Sequence, residues 1–360
     1  MKPNYYKQLD SLRFLSVLSV MIGHWIAWDT ENIIIKSIHW GNGVIFFFVL
    51  SGFLITDILL AQKIEIDLKK TTFLKGLKTF YIRRTLRIFP IYYIILFILY
   101  YHNYKNTREI FPYIATYTSN FLEAKTNAYI GDFNHLWSLA VEEQFYIFWP
   151  ICIFFIPQKH ILKFIISIII FSLISRFCFN FFLNNYWMAA SYLTNNVMFA
   201  LGIGALLAYI NKFKIFVFQN ISNSTLLGPT IFLIYVTSFY FIVYKNYFHL
   251  IHFIFDEFLF SILSAVIIAR SVGDGYKFLA KWILENETLR HLGQISYGLY
   301  LFHLFACNIF FEYISPELQL FANKKHTVWM IYFLFTWLAS EITFRTIEKP
   351  INSLKKYFKY

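Results

Sequence analysis

The chain has 360 residues, of which 58% are hydrophobic and only 14% are charged. This composition is far more apolar than that of a soluble domain and excludes one. The formal net charge of +12 fits the basic excess of inward-facing loops in a membrane protein, and the aromatic residues lie inside apolar runs, so nucleic acid is not an expected partner.

Ten hydrophobic segments can be marked along the chain. They predict an all-α, polytopic membrane protein with about ten transmembrane helices around a polar interior, in a single domain over residues 1–360. The third segment is short and can extend backwards to include Arg87. In chain order the segments are 11–28, 43–61, 88–101, 137–156, 162–183, 193–210, 226–244, 254–270, 295–314 and 328–344.

The connecting segments predict the orientation of the chain. Between the second and third spans there are eight lysines and arginines against two acidic residues, so the positive-inside rule places this segment in the cytoplasm. The other segments on that side are also basic, and both termini are therefore expected in the cytoplasm. Arg13 then lies near the cytoplasmic end of the first span, whereas His24, Glu142 and Glu143 lie in the outer third of their spans.

Arg13 and His24 stand eleven residues apart on the first span. At about 100° per residue this separation is close to three turns, so both side chains are expected on one helix face, roughly 16 Å apart. A charge near the bilayer centre costs about 2.5–3.5 kcal/mol on insertion scales, so such residues usually face a protein interior or a wet cavity. The pair predicts a polar inner face around which the other spans are arranged.

His24 and two glutamates are candidate catalytic residues. A neutral imidazole whose pKa lies near working pH suits a general base toward a hydroxyl. Glu142 and Glu143 are adjacent and point about 100° apart, so we expect one of them to face the cavity and fix the tautomer of His24, as in a triad. The alternative for His24 is a core histidine hydrogen-bonded to a helix carbonyl. The alternative for the two glutamates is an ion pair with a basic residue such as Arg176.

A basic cluster at 83–87 precedes Pro90, where the third span is expected to begin. Its arginines, Arg83, Arg84 and Arg87, are either a topology signal or phosphate ligands, since guanidinium groups grip phosphates bidentately. His303 is a second intramembrane histidine, with a functional or a purely hydrogen-bonding role.

Three further features have structural interpretations. Ser51-Gly52 forms a small-residue notch of the kind that packs helices. Glu341 and Arg345 are four residues apart and are expected to pair. Cys152, Cys178 and Cys307 match no metal-ligand spacing and are interpreted as buried thiols, so no metal site is expected.

Motifs along the chain resemble those of the acyltransferase 3 membrane family. The resemblance runs in order from Asp10 to about Pro350 and is only generic over the fifth to eighth spans. The stretches that carry it are Asp10-Ser11-Leu12-Arg13 with His24, residues 43–53 with Ser51, Tyr81-Ile82-Arg83-Arg84-x-x-Arg87, residues 135–146 with Glu142 and Glu143, Ser296-Tyr297-x-x-Tyr300-Leu301-x-His303, and Glu348-Lys349-Pro350.

The resemblance implies an enzyme of the bacterial inner membrane that O-acetylates surface glycans. Acyl-CoA, in the first instance acetyl-CoA, would present its phosphates to Arg84 and Arg87 together with Arg13. Its pantetheine arm would carry the thioester toward His24, which would deprotonate a hydroxyl of a surface glycan or lipid-linked sugar arriving from outside. The extracytoplasmic C-terminal domain that some members carry is not expected here. The remaining candidate site residues, all within the motifs, are Asp10, Ser51, Tyr297 and His303.

Three other interpretations stay open at this point. The first is a transporter or flippase whose polar path includes Arg13, His24, Glu142 and His303, although no inverted repeat is visible. The second is a two-step enzyme with a transient acyl-His24 that passes the acyl group to a separate transferase. The third is a structural membrane partner.

On the acceptor side, a loop over 102–134 is expected to help hold the sugar through its aromatic residues Tyr113, Tyr117, Tyr129 and Phe133.

Overall fold

The structure is a computed structural model that describes residues 5–27, 30, 32, 38–182, 187–245, 249–309, 312 and 325–358. Side chains are described throughout these ranges except at 239–254, 306, 307 and 325. Four features predicted from sequence fall partly outside them: the end of the first span at Trp28, the end of the fifth at Leu183, the end of the ninth beyond Ile309, and the Cys307 thiol.

All regular secondary structure in the described residues is helical. Two of the helices continue into a π-helical turn, over Gly23–Ala27 and Phe344–Glu348. The α-helices are α1 (Lys7–Ile22), α2 (Asn42–Asp67), α3 (Phe73–Tyr101), α4 (Thr107–Ala115), α5 (Ser119–Thr126), α6 (Leu136–Phe155), α7 (Gln158–Phe182), α8 (Trp187–Tyr192), α9 (Thr194–Phe213), α10 (Ile215–Asn223), α11 (Leu227–Lys245), α12 (His249–Val272), α13 (Phe278–Leu284), α14 (Glu287–Gln294), α15 (Ser296–Phe302), α16 (Phe305–Ile309), α17 (Lys325–Thr343) and α18 (Lys349–Ser353).

Six helical segments of the described chain are long and apolar enough to cross a membrane. This finding confirms an all-α, polytopic membrane protein, while the number of ten spans and the cytoplasmic termini stay predictions. The segments are Lys7–Ala27, Asn42–Asp67, Gly131–Phe155, Gln158–Phe182, Trp187–Phe213 and His326–Tyr357.

The largest difference from the sequence prediction is the start of α3. The helix begins at Phe73, where the Thr72 side chain accepts a hydrogen bond from the backbone of Lys75 at 3.3 Å. The basic cluster therefore lies within a helix rather than in a loop, and Pro90 is an interior residue, not a first-turn residue. Hydropathy alone missed this because lysine and arginine are good helix formers but strongly polar.

Close packing of α2 against α9 depends on two glycines. A Cβ atom on Gly52 would lie 2.0 Å from the carbonyl oxygen of Leu201, and one on Gly204 would lie 1.9 Å from that of Val49. The two backbones are therefore in direct contact, as small residues permit in membrane helices. The predicted packing role of the Ser51-Gly52 notch is confirmed at Gly52.

The expected loop over 102–134 contains the short helices α4 and α5. The Tyr117 ring is buried and stacks on that of Tyr92 at 4.5 Å, and Phe133 is also buried. Neither ring is available to a sugar, so the predicted role fails for them. Tyr129 does line a cavity, which is described below.

Two minor expectations can also be compared with the structure. Arg345 and Glu341 form the predicted pair, with Nε and Oε1 2.5 Å apart. Cys152 and Cys178 are free thiols, but they are half-buried rather than buried. Both half-buried thiols lie on long apolar helices, α6 and α7.

Candidate active site

His24 lies on the π-helical turn that extends α1. Such turns are rare and occur frequently at functional sites. The preceding residue is Gly23, at which a Cβ atom would come 2.7 Å from the Cβ of Trp40. A larger residue would push Trp40 away from α1, so the glycine allows Trp40 to pack against the turn that presents His24.

A hydrogen-bonded chain of three groups orients the His24 ring. The Nδ1 of His303 lies 2.6 Å from the carbonyl oxygen of Tyr300, and its Nε2 lies 2.8 Å from the Nδ1 of His24. A carbonyl oxygen only accepts, so His303 donates from Nδ1, and the Nε2 of a neutral ring must then accept from His24. The proton of neutral His24 is therefore on Nδ1, and the lone pair needed by a base is on its Nε2.

A second hydrogen bond, to the backbone of His303, also attaches the turn that carries His24. The indole Nε1 of Trp25 donates to the carbonyl of His303 at 3.0 Å. The His303 side chain is completely buried, and the two imidazole rings are nearly parallel at 13° with their centroids 5.0 Å apart, as an in-plane hydrogen bond between them requires. Two points of attachment thus fix the turn of α1 against the segment that follows α15.

His24 opens onto a cavity of about 890 Å³, here called the histidine cavity. The rings of Trp137 and Tyr192 stack at 4.3 Å and 9° in its wall. Two carboxylates also line it, and each is paired: Asp256 with His39 at 2.8 Å and Glu257 with Arg176 at 2.7 Å. The aromatic side chains of the wall are Trp40, Tyr129, Trp137, Trp187, Tyr192 and Tyr300.

A second, smaller cavity of about 110 Å³ lies beside it and is called the arginine cavity. Val44 and Tyr300 line both cavities and so form the wall between them. The arginine cavity brings together seven of the residues singled out from the sequence: Arg13, Ser51, Arg84, Arg87, Glu142, Glu143 and Tyr297.

Within the arginine cavity the charged groups have defined partners. Arg13 is held by Asp10, with Nη1 and Oδ1 2.7 Å apart. The guanidinium of Arg84 lies over the Tyr146 ring at 5.2 Å. Such cation–π contact leaves the guanidinium N–H groups directed outwards, where they can bind an anion.

Glu142 belongs to a polar network at the same cavity. Ser51 Oγ donates to its Oε1 at 2.7 Å, and the hydroxyl of Tyr146 lies 3.2 Å from its Oε2. Glu143 lines the cavity too, so the expectation that only one of these glutamates faces it was wrong. The alternative, a pair between one of these glutamates and Arg176, is not found in the described chain, where Arg176 pairs with Glu257.

The expected carboxylate partner of His24 is not found among the described residues. His24 is bonded to His303, whereas Glu142 is bonded to Ser51 and Tyr146. The physical reason is the wall of Val44 and Tyr300, which separates the histidine from the glutamates. The same wall places Arg13 and His24 on neighbouring cavities rather than on one.

Comparison with known proteins gives the family. The sequence profile described as an acyltransferase domain, that of the acyltransferase 3 family, matches residues 6–344. The chain belongs to the acyltransferase 3 family. No solved structure matches it.

Curated proteins similar to this acyltransferase 3 chain are named as O-acetyltransferases. A peptidoglycan O-acetyltransferase of Listeria monocytogenes is 28% identical over 99% of the chain and 57% of the relative. A predicted O-acetyltransferase of Staphylococcus aureus (strain COL) is 29% identical over 98% of the chain and 58% of the relative. A predicted peptidoglycan O-acetyltransferase of Bacillus subtilis is 28% identical over 97% and 55%. The chain spans a little over half the length of these relatives.

The structure of this acyltransferase 3 chain also corrects and extends the set of site residues. Arg83 donates to the carbonyls of Lys355 and Phe358 at 2.9 and 2.8 Å, so it attaches α3 to the last described residues rather than lining the arginine cavity. Sequence reasoning missed Tyr300, whose carbonyl orients His303 and whose side chain lines both cavities. Its position three residues before His303 on one helical turn was the available signal.

His135 was missed as well. Its ring is buried 4.8 Å from that of His303, and its Nε2 donates to the carbonyl of Leu301 at 3.1 Å. It thereby attaches the last turn of α15, and His303 after it, to the start of α6. No group of three or more histidine, cysteine, aspartate or glutamate side chains with the geometry of a metal site occurs in the described part of the chain.

Proposed function

We propose that this chain is a membrane O-acyltransferase that moves an acyl group, acetyl in the first instance, from acyl-CoA to a hydroxyl of a surface or lipid-linked glycan. The donor would approach from the cytoplasm and the acceptor from the outer side of a bacterial inner membrane, as the basic loops and the membership of the family suggest. Peptidoglycan is the first acceptor to test, because similar proteins carry that name.

The observation that carries this proposal is the orientation of His24. Its Nδ1 is engaged by His303, and its Nε2 has no hydrogen-bond partner among the described residues although the ring lines the histidine cavity. A neutral imidazole with one nitrogen engaged and the other directed to an open space can accept a proton from a bound hydroxyl. Aromatic walls suit the apolar faces of a sugar ring.

The transfer step can be written with all groups balanced. The acceptor hydroxyl oxygen attacks the thioester carbonyl carbon while His24 Nε2 takes the hydroxyl proton. The C–S bond then breaks, the CoA sulfur leaves as thiolate, and the proton passes from His24 to that sulfur. The positive charge on His24 during the step is shared through the bond to His303 and the Tyr300 carbonyl.

The arginine cavity would hold the other substrate. Arg13, Arg84 and Arg87 place three guanidinium groups around one small space, which suits the diphosphate of the donor. Tyr300 separates this space from His24, so the thioester would have to reach the edge of that ring for transfer.

The test is transfer by purified protein in lipid nanodiscs, with isotopically labelled acetyl-CoA and a soluble muropeptide, followed by mass spectrometry of the product. We expect His24→Ala to lower the transfer rate by about 10²–10⁴-fold, the usual contribution of a general base. His160→Ala, at an exposed histidine of α7, is the matched control and should transfer normally. Normal transfer by His24→Ala would refute the assignment.

A further inference from the structure

A third and larger cavity of about 1030 Å³ is not used by the mechanism above. It lies next to the arginine cavity along α2, since Leu54 and Ile55 line the arginine cavity and Asp57 and Ile58 line the third one. Three lysines lie in its wall, Lys70, Lys75 and Lys212, and we call it the lysine cavity.

The volumes of the arginine and lysine cavities indicate which part of a donor each of them can contain. Sites for drug-sized ligands usually measure about 300–1,000 Å³. The arginine cavity, at about 110 Å³, is too small for a nucleotide, whereas the lysine cavity, at about 1030 Å³, can contain one. An acyl-CoA whose diphosphate lies at Arg84 and Arg87 must place its adenosine 3′-phosphate elsewhere.

We propose that the lysine cavity binds the 3′-phosphoadenosine part of acyl-CoA. This inference rests on the proposed function, because it locates the nucleotide of the same donor.

The first support is the charge of the cavity wall. Lys75 and Lys212 form no ion pair within 4 Å in the part of the chain that the structure describes, while Lys70 lies 3.8 Å from Glu65. Asp57 is near enough to Lys212 to interact with it electrostatically but forms no ion pair with it, so both ammonium groups can still bind a phosphate as point charges. The carboxylates of Asp57 and Glu65, on the same wall, are acceptors of the kind that bind a ribose hydroxyl.

The second support is a buried amide. Gln62 lines the lysine cavity and is only 5% exposed, yet neither its Oε1 nor its Nε2 has a hydrogen-bond partner among the residues that the structure describes. A buried amide left without partners costs free energy, so an occupant that pairs with it is favoured. A carboxamide pairs with adenine through one donor and one acceptor, by accepting from N6 and donating to a ring nitrogen.

The third support is spacing along α2. Val44 is part of the wall next to His24, and Asp57 is the first α2 residue of the lysine cavity. Thirteen residues of α-helix correspond to about 20 Å of axis. This length is of the order that an extended phosphopantetheine arm spans, so one donor molecule can reach from the lysine cavity to the wall beside His24.

The experiment measures the affinity of the full chain in nanodiscs for acetyl-CoA and for 3′-dephospho-acetyl-CoA. We expect the wild type to bind acetyl-CoA about tenfold more tightly, the effect of a charge-assisted contact. Lys75→Ala/Lys212→Ala should bring this ratio close to one by weakening acetyl-CoA binding alone. Lys159→Ala/Lys163→Ala, at two exposed lysines of α7, is the matched control and should keep the ratio.

A second pair of donors tests the proposed contact between Gln62 and the adenine ring. Etheno-acetyl-CoA, in which N1 and N6 of adenine are bridged, should bind the wild type about tenfold more weakly than acetyl-CoA. Gln62→Leu, a variant of similar volume, should bind the two donors with nearly equal affinity.

The outcomes distinguish this inference from the proposed function. If the wild type binds acetyl-CoA but does not discriminate against the dephospho donor, or if the lysine double variant still discriminates, the nucleotide is not in the lysine cavity and the inference is overturned while the proposed function stands. If the wild type binds neither donor, acyl-CoA is not the substrate, and both are overturned.

Discussion

Replacing His303 tests the role of the histidine pair. In His303→Ala, the Nδ1–H of His24 loses its acceptor at 2.8 Å, while the Trp25 bond to the backbone carbonyl of residue 303 is retained. His24 is then free to carry its proton on either nitrogen. The tautomer with the proton on Nε2 cannot act as the base toward the histidine cavity.

The size of the effect follows from the lost bond. Leaving a buried donor unpaired costs about 1–3 kcal/mol. At 1.36 kcal/mol for each factor of ten in rate, we expect transfer to slow by about 5- to 150-fold, by less than the loss of His24 itself. His303→Gln offers a side-chain oxygen as a new acceptor and should recover part of the rate.

The assay is single-turnover acetyl transfer as a function of pH, with thermal unfolding measured in parallel. A role in positioning His24 predicts that His303→Ala changes both the rate and the pH at which the rate reaches half its maximum, because the bond that stabilises the protonated ring is gone. A purely packing role predicts a lower melting temperature with an unchanged pH profile. A wild-type rate and profile in His303→Ala would refute the reasoning.

Three further predictions concern other parts of the molecule. Arg87→Ala should weaken acetyl-CoA binding about 10- to 100-fold by removing a charged phosphate ligand, whereas Arg83→Ala, whose side chain bonds two carbonyls instead, should leave that affinity unchanged in the same titration. Burial raises the pKa of Glu123, in α5 outside the membrane-spanning segments, from 4.5 to about 9, so its contribution to stability is full below pH 4.5 and declines as the pH rises to 9. Glu123→Gln should therefore be more stable than the wild type by about 3 kcal/mol at pH 7 but not at pH 4.5. Parallel pH dependences of the free energy of unfolding in the two proteins would contradict this. Gly52→Ala should lower stability by about 1–3 kcal/mol, because its Cβ meets the Leu201 carbonyl, while Gly41→Ala, with open space around the Cβ, should unfold like the wild type.

The membrane class and most of the arginine cavity could be predicted from the sequence. Apolar runs indicate spans whatever their tertiary contacts, and a buried charge in such a run must face protein. Arg13 and Glu142 are of this kind, and they do lie around one cavity. Helix periodicity, however, does not show how many residues of a turn reach a given space, and so the expectation that only one of Glu142 and Glu143 faces the cavity was wrong.

The orientation of His24 could not be predicted, for two physical reasons. Its partner His303 is 279 residues away along the chain, so no local spacing relates them. The turn that presents it is π-helical, so a count at 100° per residue no longer gives its direction. A carboxylate at similar depth was the expected partner, because spans and loops in a sequence define only the depth of a residue in the membrane.

Tyr300 explains why depth alone was insufficient. Its side chain stands between His24 and the glutamates, and its hydroxyl donates to the carbonyl of His135 at 3.0 Å and lies 2.6 Å from Ser138 Oγ. The ring is thus fixed to α6 at one end, while its backbone carbonyl fixes His303 at the other. A single residue therefore forms part of the wall between the two cavities and orients the histidine that sets the tautomer of His24.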